Sequence, residues 1–220
     1  MSDAIAAFFD LDYTILRSSS GRLFVRYLRQ KGMISRRQEM AIATWSAFYM
    51  FRLIDYPRLM SRLIADIMGQ DEASMWTLCQ RWFDEMVVHY ISANAREAIA
   101  RHKAQGHLVA IVTASTPYAA TPVAEHLGLD GNVLATRLEV RNGRFTGRVL
   151  GPACYGQGKV YWAERYAEEH GADLTRSYFY TDSANDLPLL ERVGHPIAVN
   201  PDRRLRRIAR ARGWSIVSFR

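Results

Sequence analysis

The chain has 220 residues, 49% hydrophobic and 23% charged, an ordinary globular composition with room for one or two domains. Two cysteines, Cys79 and Cys154, leave no basis for a disulfide framework or a Cys-rich metal motif and suit a cytoplasmic location. A net charge of +7 favours anionic partners, yet the basic residues are spread along helical patterns with no nucleic-acid motif, so a nucleic-acid partner is not expected.

Met1-Ser2-Asp3 lacks a basic leader and runs straight into the first strand, so no signal peptide is expected. The apolar run Ile5-Ala6-Ala7-Phe8-Phe9 reads as a strand buried on both faces, as in a parallel sheet. It ends in Asp10-Leu11-Asp12-Tyr13-Thr14. Two carboxylates thus emerge at a strand end, where open α/β sheets bind ligands. Their mutual repulsion and burial would raise at least one pKa, and a hard cation such as Mg²⁺ relieves it. Taken alone, the pair fits a solvated Asp-x-Asp turn equally well.

A long helical segment follows, from about Ser18 to Ile91. Ser18-Ser19-Ser20-Gly21 reads as a hinge and N-cap region, and Leu23, Phe24, Tyr27 and Leu28 form one face of a helix that Gly32 closes. Ser35 and Gln38 have capping-box spacing before a second helix. Pro57 opens a third that ends at Gly69, and Asp71 caps a fourth carrying Trp76, Trp82 and Phe83. Short connections between such helices imply a small bundle. Met40 to Phe51 is apolar nearly all round but shorter than the roughly 20 residues of a membrane span. It fits a central bundle helix, the floor of an apolar pocket, or a membrane-surface element. Trp45, Phe48, Tyr49 and Phe51 are the residues that a lipid or aromatic tail would meet.

Beyond the bundle, Ser92 to Gln105 and Pro117 to His126 read as helices, and Leu108 to Thr113 as a buried strand ending in Thr113-Ala114-Ser115. Leu134 to Val140 and Arg144 to Leu150 alternate about Asn142-Gly143, a hairpin signal. Gly156-Gln157-Gly158-Lys159 is a glycine-rich turn opening a helix to His170, and Tyr178 to Thr181 is a strand that runs into Asp182-Ser183-Ala184-Asn185-Asp186. A helix to Val193, a strand over Ile197 to Val199, a basic helix from Arg203 to Arg212 and a last strand near Ser215 to Phe219 complete the pattern. The basic helix carries Leu205, Ile208 and Ala209 as a buried stripe and reads as a solvated face. The six histidines show no paired ligand spacing and read as surface or helix-end residues. Strands alternating with helices indicate a three-layer α/β fold with a Rossmann-like parallel sheet.

In order, the strand ends and turns supply Asp10-x-Asp12, then Thr113, then a helix-opening Lys159, then Asp182-x-x-x-Asp186. Each is weak alone. Together they resemble the four motifs of the haloacid dehalogenase superfamily, most closely its phosphoserine-phosphatase-like branch, from Phe8 to Pro201. The resemblance implies a core of residues 1–17 and 92–220 with a helical cap of residues 18–91. It implies a Mg²⁺-dependent phosphatase acting on a small phosphorylated substrate through an aspartyl-phosphate. Asp10 would be the nucleophile and Asp12 the general acid and base. Asp10, the Asp12 carbonyl and Asp182 would hold Mg²⁺, with Asp186 as a further ligand or support. Thr113 and the Ala114 amide would bind phosphate, Lys159 would neutralise charge, and Asn185 would reach the phosphate or the metal's surroundings. Asp12 itself argues against dehalogenation, because halide leaves without a proton.

The same intermediate would serve a phosphotransferase or mutase, and a basic binding protein on an inactive scaffold is the non-enzymatic alternative. The phosphoserine phosphatases that this chain resembles carry a glutamate nine residues after the nucleophile, to pair with the substrate ammonium. Here that position is Ser19, beside Arg17. Phosphoserine is therefore not the expected substrate, histidinol phosphate is the named alternative, and Arg52, Arg58 and Arg62 are cap residues that would recognise the leaving group. Oligomeric state is not legible.

Overall fold

The computed structural model describes residues 4–50, 67–129 and 131–220, with the backbone alone over 45–50. The helix expected from Pro57, the three cap arginines and the side chains of Trp45, Phe48, Tyr49 and Phe51 lie outside these described residues.

Six strands form one parallel sheet: β1 (Ala6–Phe9), β2 (Leu108–Thr113), β3 (Val133–Ala135), β6 (Tyr178–Thr181), β7 (His195–Val199) and β8 (Ser215–Val217). Their order is β3-β2-β1-β6-β7-β8. Alternation along β1 explains the three layers, because successive side chains of a strand face opposite ways. Ala7 and Phe9 join one core with Ala95, Ile99 and Val123, whereas Ala6 and Phe8 join the other with Val160, Ala163, Leu189 and Leu205. Burial on both faces is why β1 is apolar without a break.

The chain leaves β1 toward β2 and β3 on one side, then returns to place β6, β7 and β8 on the other. The direction reverses between β1 and β6, the crevice where open α/β sheets bind ligands. Asp10 follows β1 and Asp182 follows β6, so the two aspartate motifs flank that crevice.

Two of the expected caps formed, at Ser35 and Asp71, whereas Ser19 precedes the first helix without a side-chain cap hydrogen bond. The helix α1 covers Ser20–Gln30 and α2 covers Arg36–Met50. Ser35 and Gln38 make the reciprocal box: the Gln38 amide donates to Ser35 Oγ at 3.3 Å and the Ser35 amide to Gln38 Oε1 at 2.8 Å. Asp71 accepts the Ser74 amide at 2.8 Å to start α3 (Glu72–Glu85). Leu23, Tyr27, Trp82 and Phe83 of these helices share one continuous apolar cluster with Phe9, Ile99 and Val123.

The segment Leu134 to Val140 is not one strand. It splits into β3 in the main sheet and β4 (Leu138–Arg141), which pairs with β5 (Arg144–Val149) in a separate hairpin. Thr136 makes the break, and its buried hydroxyl donates to Ala114 O at 2.9 Å and accepts from the Cys154 amide at 3.0 Å. Asn142 and Gly143 both adopt positive φ, as the tight turn requires. The hairpin reaches the helical segment, where the Glu72 amide donates to Gly143 O at 2.8 Å and the Gly69 amide to Phe145 O at 2.8 Å.

Of the surface and helix-end roles expected for the histidines, His102 takes the helix-end one while being buried. His102, in the last turn of the helix α4 (Ala93–Ala104), is only 5% exposed. Its Nε2 lies 2.9 Å from the Tyr180 hydroxyl and its Nδ1 2.8 Å from His107 Nδ1. Both thiols are buried and free. Among the described residues no helix is long and apolar enough to cross a membrane.

Candidate active site

The β1 end is pinned to its neighbour by the Asp10 amide, which donates to Tyr180 O at 2.9 Å. The next residues turn sharply, with Tyr13 at φ 56, a conformation uncommon for a bulky side chain. Asp10 is 7% exposed and Lys159 2% exposed. Lys159 enters from α6 (Gln157–His170), the helix after Pro117–His126 (α5). The preceding glycine is required by packing: a Cβ on Gly158 would stand 1.8 Å from Ala153 O.

Lys159 Nζ donates to Asp10 Oδ1 and to Asp186 Oδ2, each at 2.7 Å. Asp186 Oδ2 also accepts from the Thr181 hydroxyl at 2.6 Å. Residues 10, 159 and 186, far apart in sequence, thus meet in one buried ion cluster. Burial works against the lysine charge, but the two carboxylates outweigh it and hold Lys159 protonated well above the usual lysine range. Burial pushes Asp10 up to about 7, with Lys159 opposing and Asp186 adding to the rise.

Asp12 is half-buried, and its Oδ1 accepts the Ser20 amide at 2.8 Å. Burial raises its pKa, while the Ser20 amide and the Ser20 and Ser19 hydroxyls pull it back down. Ser20 is itself buried, and its Oγ lies 3.4 Å from Ser115 Oγ. Asp182 is pushed up to about 8, by burial first and then by repulsion from Asp10 and Asp186.

Thr113 is buried at the end of β2, and its Oγ1 accepts the Ser115 amide at 3.1 Å. The Ala114 carbonyl is held by Thr136. Asn185 is exposed, with its amide donated to Ser183 Oγ at 3.2 Å, so the structure does not join its side chain to the ion cluster.

One lysine therefore sits among four carboxyl groups, those of Asp10, Asp12, Asp182 and Asp186. An all-oxygen, net-negative donor set of this kind fits a hard divalent cation. Among the described residues no group of three His, Cys, Asp or Glu side chains is arranged as a ligand set. The expected set uses two carboxylates and the Asp12 main-chain carbonyl, so the residues present remain compatible with it.

Sequence reasoning missed Ser20, Thr136, Thr181 and Asp202. Asp202 Oδ2 accepts the Ala184 amide at 2.9 Å, and its own amide donates to Asp182 O at 2.9 Å. Thr181, directly before Asp182, carried a local signal because it ends an apolar strand. Ser20 meets Ser115, 95 residues away, and Asp202 meets Ala184, 18 residues away, so neither contact has a local sequence signal.

A profile of the haloacid dehalogenase-like hydrolase family matches residues 7–191. A phosphoserine phosphatase of Mycobacterium tuberculosis is 36% identical over 98% of this chain and 71% of its own length. A histidinol-phosphatase of Neisseria meningitidis is 28% identical over 97% of this chain and 98% of its own. A Bordetella pertussis protein of unknown function has a solved structure that superposes with a TM-score of 0.89 at 29% identity, covering 99% of this chain and 100% of that one.

Proposed function

The chain belongs to the haloacid dehalogenase-like hydrolase family and is a phosphatase, and on that premise we propose that it hydrolyses a small phosphomonoester through an aspartyl-phosphate, an acyl phosphate on Asp10. The observation that carries the proposal is the Lys159 ammonium held 2.7 Å from both Asp10 and Asp186 in a buried site. A buried carboxylate that desolvation would protonate is thereby kept available as a nucleophile.

In the first half-reaction an Asp10 oxygen bonds to phosphorus while the bond to the leaving oxygen breaks. Asp12 gives its proton to that oxygen, and its raised pKa suits the task. In the second, Asp12 takes a proton from water as the water oxygen bonds to phosphorus, releasing phosphate and free Asp10. Lys159 offsets charge on Asp10 and the phosphoryl group, and Thr113 with the Ala114 amide binds phosphoryl oxygens, with Asn185 at the exposed edge. Asp10, Asp182 and the Asp12 carbonyl would hold Mg²⁺, with Asp186 as a further ligand or support, and the bound ion would supply charge neutralisation at the transferring group. Residues 18–91 serve as the cap over residues 1–17 and 92–220.

The leaving group is not a serine in this account. Ser19, a neutral hydroxyl, occupies the position from which relatives pair with an ammonium. Histidinol phosphate is the alternative, in line with the name of the 28%-identical Neisseria meningitidis protein, whereas the 36%-identical Mycobacterium tuberculosis protein is named for phosphoserine. The test is phosphate release by purified protein over amino-acid, amino-alcohol, sugar, nucleotide and lipid phosphates, without an added acceptor. Activity with Mg²⁺, its loss in chelator and inhibition by Ca²⁺ are expected. Full turnover in excess chelator, or transfer only to an added acceptor, contradicts the proposal.

A further inference from the structure

Asp202 lies outside the four motifs, yet it contacts the main chain of Asp182 and of Ala184, two residues on. Its main-chain amide donates to Asp182 O at 2.9 Å. Its Oδ2 accepts the amide of Ala184, a buried residue, at 2.9 Å. Its other oxygen, Oδ1, accepts the Leu205 amide at 2.7 Å and caps α8 (Arg203–Arg212), the helix beyond Leu187–Leu190 (α7). The turn that presents Asp182 and Asp186 is therefore fastened to the start of a ten-residue helix. Within the turn, Ser183 Oγ accepts the Asn185 amide and Thr181 Oγ1 the Ser183 amide, so Asp202 supplies the acceptor for Ala184.

We propose that Asp202 is a positioning residue: its carboxylate sets the backbone between Asp182 and Asp186 so that the Asp182 carboxylate is held for the divalent cation. The inference rests on the metal reading above. It requires two acceptor oxygens on one short side chain. Asn has one acceptor and, in place of the other, an NH₂ that cannot receive an N–H. Ser has a single oxygen on a stem one atom shorter. Both residues are good N-caps, so Asp202→Asn and Asp202→Ser keep α8 started while the Ala184 amide loses its partner.

Mn²⁺ serves as the probe because its paramagnetism reports binding directly, without turnover. Free and bound Mn²⁺ are measured by electron paramagnetic resonance on the whole chain, wild type against both variants, with thermal melting alongside. The expected result is Mn²⁺ affinity lowered about tenfold or more, the lower end of what removing a ligand's supporting partner costs, with melting temperatures close to wild type. In turnover assays the Mg²⁺ concentration for half-activity rises in step, while kcat at saturating Mg²⁺ changes far less. A residue that only caps a helix leaves Mn²⁺ affinity unchanged at temperatures well below melting. Wild-type affinity in either folded variant overturns the clamp and leaves the metal reading standing. A wild-type chain that takes up no Mn²⁺ overturns both.

Discussion

The Ser20 amide donates to Asp12 Oδ1 at 2.8 Å, so the first turn of α1 ends on the carboxyl assigned as general acid. A helix start favours a nearby negative charge, and here it acts against the burial that raises the Asp12 pKa. Ser20→Ala removes the hydroxyl part of that opposition and the contact to Ser115. The pKa of Asp12 then rises further. Because the acid must be protonated for the first step, the alkaline limb of kcat/KM moves to higher pH, with kcat/KM lowered about tenfold, the size of one hydrogen bond to a charged group. A pH–rate profile superimposable on wild type contradicts this role.

Lys159→Met removes the cation between Asp10 and Asp186. An oriented electrostatic donor of this kind is worth about 10²–10³ in kcat, and a drop of at least that size is expected. Breaking a buried ion pair from one side also costs stability, about 3–5 kcal/mol. Urea unfolding of metal-free protein measures it. A variant as stable as wild type shows that the cluster relaxes without its lysine.

Thr136→Val tests the joint between the Thr113 and Lys159 elements. The side chains are of similar size, but the Ala114 carbonyl and the Cys154 amide both lose a partner. Each buried group deprived of a partner costs about 1–3 kcal/mol, so a loss of about 2–6 kcal/mol by urea unfolding is expected for the two. A loss below about 0.5 kcal/mol, the range of an ordinary surface change, contradicts it.

The parts legible in the sequence are those whose causes are local. The unbroken apolar run of β1 announces burial on both faces, and the Ser35–Gln38 and Asp71–Ser74 caps form between residues three apart. Motif order placed Asp10, Lys159 and Asp186 in one site before any distance was known. The misses have non-local causes. Leu134 to Val140 alternates well enough for one strand, but the sheet and the hairpin claim its two halves, and the Thr136 contacts that separate them reach Ala114 and Cys154. His102 stands between Arg101 and Lys103, which read as a solvated helix end; the partner that meets it in the core, Tyr180, is 78 residues away.

His102 supplies a pH signature of the fold. Burial, then repulsion from His107 and Arg101, pushes it down to about 4, against an ordinary value of 6.5. The unfolded chain takes up a proton below pH 6.5 and the folded chain does not. Stability from this group is therefore full above about pH 6.5 and is lost as pH falls toward 4. Its surroundings are His107, Tyr178 and Tyr180. His102→Gln is expected to be less stable at pH 7 but to lose less between pH 6.5 and 4.5 than wild type. Parallel melting curves for the two proteins across that range contradict the assignment.

The central claim is that Asp10 carries the phosphoryl group, and the most direct measurement traps it. Protein mixed with a turned-over phosphomonoester and Mg²⁺ is quenched in acid and reduced with borohydride, which converts an aspartyl-phosphate to homoserine, and the modified residue is located by mass spectrometry. The account predicts homoserine at position 10 in wild type and none in Asp10→Asn, whose turnover falls by about 10⁴-fold or more, as for loss of other catalytic nucleophiles. Steady phosphate release with no modified residue at position 10, or an Asp10→Asn variant that still turns over, contradicts it.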